Sequence, residues 1–234
     1  MPGTCIELNQ LEFRWPGATR SLLSIEQFSI QRGERVMLRG ASGSGKSTLL
    51  GLIAGIHSPL PNQLHVLGHD MGSLSQHQRD KLRANEVGYI FQQFNLLPYL
   101  SAHANVLLAE QFSSARRKRL DHASISHAEQ AKALLLQLGL SEADILRPAH
   151  QLSVGQQQRV AAARALFGAP ALIIADEPTS ALDAEHRDNF IEVLFAACKQ
   201  FDTTLLFVTH DASLAPHFDR SIELAEINQA RSAS

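Results

Sequence analysis

Gly40-Ala41-Ser42-Gly43-Ser44-Gly45-Lys46-Ser47-Thr48 is the stretch on which the fold turns. It fulfils the pattern Gly-x-x-x-x-Gly-Lys-Ser/Thr, and its surroundings are those the chemistry needs. Arg35-Val-Met-Leu-Arg39 before it reads as a short strand, and the apolar spacing from Lys46 to about Ile56 reads as a helix. Glycines let the backbone approach phosphate oxygens, while successive N–H groups and the helix N-terminus supply positive potential. Gly40 to Thr48 are therefore expected to cradle a triphosphate, with Lys46 reaching the β- and γ-phosphates and the Ser47 hydroxyl on Mg²⁺. A dinucleotide loop is excluded, because Gly43-Ser-Gly45 runs into Lys-Ser-Thr where that pattern has its third glycine. The expected ligand is a nucleoside triphosphate.

Holding the metal of such a ligand takes a carboxylate on a second strand. Ala171-Leu-Ile-Ile-Ala-Asp176-Glu177-Pro178 offers one. It is an apolar run of the kind buried on both faces of a parallel sheet, and Asp176 stands at its C-terminal end, where α/β sheets place their ligands. Adjacent acids at a strand end point in different directions. Asp176 is thus expected to organise Mg²⁺, and Glu177 to face the γ-phosphate and polarise a water.

Thr204-Leu-Leu-Phe-Val208 is a second buried run, and Leu64 to Leu67 a further strand. Residues 4–14 and 21–30 alternate apolar and polar side chains around Trp15-Pro16-Gly17, predicting a two- or three-stranded antiparallel element. Leu74 to Ala84 has helical spacing. From about Phe94 to Gln158 the chain is rich in Ala, Leu and Gln, with helical patterns over 101–112 and 126–138, the second closed by Gly139. That stretch reads as an all-helical insertion in an α/β core. The charge run Arg116-Arg-Lys-Arg119 reads as a solvated loop rather than a phospholipid or partner contact. His65 and His69 have the spacing of a helical metal pair but fall in a strand and a turn, which argues against a metal there.

With 234 residues, 44% of them hydrophobic, the chain buries an ordinary core, and disorder, collagen and a disulfide scaffold are ruled out. Lys+Arg 21 against Asp+Glu 23 leaves no basic excess, so no nucleic-acid partner is expected. Cys5 and Cys198 form no Cys-x-x-Cys, which suits a reducing compartment or two incidental core thiols. The longest apolar run, Leu49 to Ile56, falls far short of the roughly 20 residues that span a bilayer, so no direct membrane insertion is expected.

Leu152-Ser153-Val154-Gly155-Gln156-Gln-Gln-Arg-Val160 resembles the L-S-G-G-Q signature of the ATP-binding cassette (ABC) ATPases. The family's other motifs follow in its order: Gln92 in Tyr89-Ile-Phe-Gln-Gln-Phe as the Q-loop glutamine, Ser180-Ala-Leu-Asp183 as the D-loop, and His210 in Val208-Thr-His-Asp211 as the switch histidine. Trp15 stands where the family places an aromatic on adenine. The resemblance runs from about residue 5 to residue 225. It implies an α/β P-loop NTPase core with a mainly parallel sheet, an N-terminal antiparallel β element and an inserted α-helical subdomain. The chain is then a single ABC ATPase domain over 1–234, with 1–92 and 159–234 as the split core and 93–158 as the helical subdomain.

The same resemblance implies two ATP molecules sandwiched head to tail by a homodimer. Glu177, His210 and Gln92 are implied as catalytic, and Ser47, Gln92 and Asp176 as the Mg²⁺ set. Ser153, Gly155, Gln156 and Asp183 are implied to complete the site of the second copy. Val154 replaces the signature's first glycine. At the first turn of a helix a valine costs only modest propensity, so the site is expected to work.

Gly88-Tyr-Ile-Phe-Gln-Gln-Phe-Asn-Leu-Leu-Pro98 looks most like the ATPases of lipoprotein release, macrolide export and the cell-division FtsE type. Ala104 stands where those relatives usually carry Glu. The resemblance implies an integral membrane permease docking near Phe94 to Leu107, at the cytoplasmic face of a bacterial inner membrane. Phe91, Phe94, Leu96, Leu97 and Tyr99 are too apolar for bare surface. Core burial accounts for about half of them and a partner groove for the rest. The alternatives are a non-transport ABC ATPase, or a regulatory ATP-binding module with little hydrolysis.

Overall fold

In the computed structural model, which describes residues 3–180 and 182–230, the chain builds one unit from residues 1–83 and 204–234 and a second from 84–203. The path through the first unit is β1 (Thr4–Phe13), β2 (Leu23–Gln31), β3 (Arg35–Arg39), α1 (Lys46–Ile53), β4 (Leu64–Val66), β5 (His69–Asp70) and α2 (Gln76–Glu86), whose last turn passes into the second unit. There follow β6 (Val87–Ile90), α3 (Ala102–Gln111), α4 (Ser114–Leu120), α5 (His127–Gln137), α6 (Glu142–Ile145), α7 (Val154–Leu166), β7 (Leu172–Asp176) and α8 (Ala184–Gln200). The chain returns to the first unit as β8 (Thr204–Val208), β9 (Arg220–Glu223) and α9 (Leu224–Ile227).

Alternation in the first two strands does what its period dictates. Ile6 pairs with Ile30 and Leu8 with Phe28, two residues apart on one buried face; past Gln10, at φ 48, the parity of burial changes and the buried pair is Leu11 with Ile25. The antiparallel sheet holds four strands in the order β2-β1-β4-β5 rather than two or three. The added edge is β5, which folds back on β4 through Leu67 and Gly68, both at positive φ, and pairs Val66 with His69. His65 and His69 therefore sit on neighbouring strands, and no group of three potential metal ligands occurs among the described residues. The apolar runs of β3 and β8 pair in parallel, Val36 to Leu206 and Leu38 to Val208, with β9 parallel on the other side of β3. α1 ends three residues short of the expected Ile56, where its last turn tightens into a bond from Gly55 N–H to Leu52 O.

The second unit sets two parallel strands beside a group of helices. β6 and β7 pair from Val87 with Leu172 to Ile90 with Ala175. α7 lies against β6 at very short range: a Cβ on Gly88 would stand 2.3 Å from Ala165 O. The small, buried Ala161, Ala162 and Ala165 share one stripe of α7 and keep it low enough for close packing. α3 and α5 are shorter by a residue at each end than the patterns 101–112 and 126–138, because Ser101 and Ser126 act as N-caps rather than helical residues. The serine at 126 closes a capping box with Glu129.

The basic run 116–119 corrects the sequence reading. It is helical, as α4, and Arg116 is 3% exposed. Its guanidinium donates to Ala84 O, Ala165 O, Phe167 O and Val87 O at 2.8–3.1 Å. Arg119 pairs with Glu86 at 3.0 Å. The acceptors come from the ends of α2 and α7 and the start of β6, so nothing within the run itself signals the burial. Arg117 and Lys118 alone behave as a solvated face.

Candidate active site

The phosphate loop lies wholly in the first unit, between β3 and α1. Gly45 is the N-cap of α1 at φ 103, and Gly43 is at φ 76, a left-handed backbone that side-chain-bearing residues resist. Gly40 is required for a different reason: a Cβ there would lie 2.9 Å from Ser44 Oγ and 3.2 Å from Leu224 Cβ. Lys46 is buried and curls back, its Nζ donating to Gly40 O at 2.6 Å and Ala41 O at 3.0 Å. Ser44 Oγ is buried without a hydrogen-bond partner among the described residues. Ala41, Ser42 and Ser47 are exposed, and Thr48 is buried on the helix side. The loop thus concentrates an ammonium, a helix N-terminus and an unspent hydroxyl around one concavity, a donor set that fits a polyphosphate.

Beside the loop opens a cleft of about 610 Å³ lined by Trp15, Arg20, Ser42, Gly43, Leu224 and Asn228 among others. Trp15 is 41% exposed. Its indole meets Phe13 and His57 in T-shaped geometry, with centroids 5.3 and 4.8 Å apart, so the ring is fixed by two aromatic neighbours. Asn228 fixes the opposite wall, its side chain accepting from Ser24 N–H and donating to Leu22 O. His210 is also in this unit, exposed just beyond β8, where Asp211 N–H bonds Thr209 Oγ1.

The acidic pair lies in the second unit. Asp176 ends β7, half-buried, and its charge adds to burial in pushing the Tyr89 phenol well above its ordinary range. Glu177 follows at φ 47 and precedes Pro178, a conformation disfavoured twice over and worth about 1–3 kcal/mol of strain. Gln92 is exposed two residues past β6. Phe94 and Asn95 then adopt positive φ of 57 and 50, and both carbonyls accept from the Arg164 guanidinium at 2.7 Å. Burial lowers the pKa of that guanidinium. Farther along, the fully buried Asn105 braces the turn through Leu97 N–H and the carbonyls of Leu97, Leu100 and Ser101.

Ser153 is the N-cap of α7, accepting from Gln156 N–H, while Gln156 Oε1 accepts from Ser153 N–H. Val154 is the first helical residue and 48% exposed, the placement in which valine is tolerated. Gly155 has Leu182 Cδ2 of the D-loop 3.7 Å from where its Cβ would stand. Asp183 caps α8, and the His186 N–H and imidazole hold its carboxyl below the usual range. Ala181 of the D-loop lies outside the described residues.

Two side chains to which the sequence reading gave no role join these pieces: Arg164, just described, and Gln158, in the signature stretch, whose Nε2 donates to Pro178 O at 2.7 Å. A signal for Gln158 existed. It shares a helical stripe with Ala161, Ala162 and Ala165, so it is a polar residue on an apolar face.

A family model described as ABC transporter matches residues 23–180. The uncharacterized ABC transporter ATP-binding protein YbbA of Escherichia coli (strain K12) is 41% identical over 204 residues, 87% of this chain and 86% of the relative. The macrolide export ATP-binding/permease protein MacB of Burkholderia pseudomallei (strain K96243) is 37% identical over 228 residues, which is 97% of this chain but 34% of that protein. Among solved structures, a dimeric post-hydrolysis state of the ATP-binding cassette MJ0796 bound to ADP and Pi matches with a TM-score of 0.78 at 31% identity, covering 93% of each chain. A second dimeric structure of MJ0796, a bacterial ABC transporter cassette, matches with a TM-score of 0.79 at 30% identity, covering 97% of this chain and 98% of that one.

Proposed function

Because the chain belongs to the ABC transporter ATP-binding family, we propose that it is the ATP-hydrolysing subunit of a transporter of the macrolide-export and FtsE-like type, working as a homodimer on a separate membrane permease. The observation that carries the reading is the phosphate loop, with Gly45 at φ 103 opening α1, Lys46 folded over it and a buried, unpartnered Ser44 hydroxyl. These groups suit the triphosphate of MgATP, and the cleft walled by Trp15 suits its base and ribose.

Lys46 exchanges its carbonyl partners for β- and γ-phosphate oxygens, and the N–H groups of Gly43 to Thr48 complete the cradle. By the family resemblance, Ser47, Gln92 and Asp176 would hold the Mg²⁺ that arrives with ATP. Bound there, the ion would supply neutralisation of the charge on the triphosphate and on the leaving group. Glu177 takes a proton from water as the water oxygen bonds to the γ-phosphorus. The bond to the bridging oxygen of ADP breaks, and ADP and phosphate leave. By the family resemblance, His210 would position the γ-phosphate. Ser153, Gly155 and Gln156, at the N-terminus of α7, grip the γ-phosphate of the nucleotide on the second copy, with Asp183 beside them.

The helical segment 93–158 serves as the insertion that meets the permease over Phe94 to Leu107. Tyr99, 70% exposed, and Leu97 supply its apolar face. The subunit works peripherally at the cytoplasmic face of a bacterial inner membrane, and among the described residues no helix is long and apolar enough to cross one.

Glu177→Gln tests the reading. Its MgATP turnover falls at least about 100-fold, the range for loss of a general base, while it still binds ATP and shifts to dimer size in light scattering. Wild-type turnover in this variant, or a monomer persisting in saturating ATP, overturns the proposal.

A further inference from the structure

Gln158 is fully buried on α7, two residues beyond Gln156. A proline carbonyl can only accept, so the 2.7 Å contact with Pro178 O fixes which end of the amide faces it. The other end, Oε1, is buried without a hydrogen-bond partner among the described residues. A polar side chain held in that state is a cost that packing alone does not explain. Its bond lands on the residue after Glu177, whose left-handed, pre-proline backbone persists only where the surroundings over-determine it. On the near side the register of Ala175 with Ile90 anchors β7. Ser180 N–H closes the turn onto Glu177 O at 3.3 Å, and Gln158 grips it from the helix.

We propose that Gln158 is a positioning residue for ATP hydrolysis: it ties the signature helix α7 to the turn that carries Glu177 and so sets the aim of the Glu177 carboxylate. This rests on Glu177 being the base, as proposed above. Gln158 touches neither nucleotide nor water in this role, and it acts only through the Pro178 carbonyl.

Gln158→Leu keeps the volume nearly constant, deleting both the bond and the unpartnered oxygen. In the full-length chain with MgATP, kcat falls about 10- to 100-fold, the effect of misplacing a catalytic group by around an ångström. KM for MgATP and the affinity read from Trp15 fluorescence stay within about twofold. In single-turnover measurements Gln158→Leu adds no further loss to Glu177→Gln, because the carboxylate that it aims is already gone. A purely structural role gives the same fold-loss in both backgrounds. Gln158→Glu supplies a second readout: burial raises the new carboxyl's pKa, and its protonated form can donate to Pro178 O. Its turnover relative to wild type therefore rises as the pH is lowered from about 9 to about 6.

A Gln158→Leu kcat within twofold of wild type, equal losses in both backgrounds, or a flat Gln158→Glu profile overturns the inference. If Gln158→Leu does not fold, the Gln158→Glu profile alone decides. A silent Gln158→Leu beside an inactive Glu177→Gln refutes the positioning role and leaves the base assignment standing. An active Glu177→Gln refutes both.

Discussion

Replacing Arg116 by Met unfolds the second unit at markedly lower temperature. The guanidinium makes four hydrogen bonds to backbone carbonyls, at 3.0 Å to Ala84, 3.1 Å to Ala165, 2.9 Å to Phe167 and 2.8 Å to Val87. Methionine fills most of the space and serves none of these acceptors. Each buried carbonyl stripped of its partner costs about 1–3 kcal/mol, which would sum to more than the site can lose, because burial of the charge is itself unfavourable. That burial pushes the guanidinium down to about 10, still far enough above neutral pH for it to stay charged. Relief of this desolvation offsets part of the loss, leaving about 3–5 kcal/mol, the usual result of removing one side of a buried charged network. For a chain of this length each kcal/mol moves Tm by roughly 2–4 °C, so thermal unfolding followed by circular dichroism shows a drop of roughly 6–20 °C. Arg116→Lys recovers little, since one ammonium cannot reach four divergent acceptors. The matched control is Arg117→Met on the exposed side of α4, expected within about 0.5 kcal/mol of wild type. Equal, small shifts for Arg116→Met and Arg117→Met would refute the reasoning and restore the solvated run.

Trp15 is the only tryptophan in the sequence, so intrinsic fluorescence reports on the cleft directly and should change on addition of MgATP. Base stacking of about 1–3 kcal/mol makes Trp15→Ala bind ATP about fivefold or more weakly, while Trp15→Phe keeps most of the affinity; an unaltered Kd in Trp15→Ala counts against stacking. Asp219 accepts from the Arg35 guanidinium at 2.6 and 3.1 Å and from its backbone N–H, and the guanidinium bonds hold its carboxyl below the usual range. The stability this adds is complete above the ordinary carboxylate value of about 3.9 and is lost as pH falls through the lowered native value. Tm of Asp219→Asn therefore lies below wild type at neutral pH and converges with it on acidification, and a gap independent of pH refutes the assignment.

How much was legible follows from where the determining atoms lie. The phosphate loop and the apolar strands could be read because their signals are local: glycine spacing before a helix, and runs too apolar for anything but a covered sheet. Val154 was expected at the first turn of a helix from its place in the signature, and it is the first helical residue, behind a capping box of Ser153 and Gln156. Arg116 could not be placed, since its four acceptors lie up to 51 positions away and are backbone atoms, which no residue pattern reveals. β5 escaped because a two-residue strand owes its existence to the Val66 partner rather than to its own composition. Glu177 was read as an acid at a strand end, but its left-handed backbone is imposed by the turn through Pro178 and Thr179 and has no compositional mark.

The close approach of α7 to β6 has a mechanical consequence. With Ala165 O only 2.3 Å from where a Cβ on Gly88 would stand, helix and strand backbones are in close approach at this point, and any larger residue at 88 would push them apart. Arg164, near its C-terminal end, grips the Phe94–Asn95 carbonyls, and Gly155, near its N-terminal end, lies nine residues away, or about 14 Å at the helical rise. A load applied at the Phe94–Asn95 turn therefore enters α7 through the Arg164 guanidinium. It passes along α7 toward the signature end, the helix being seated on β6 both by the bare Gly88 against Ala165 O and by the Arg116 guanidinium that spans Ala165 O and Val87 O.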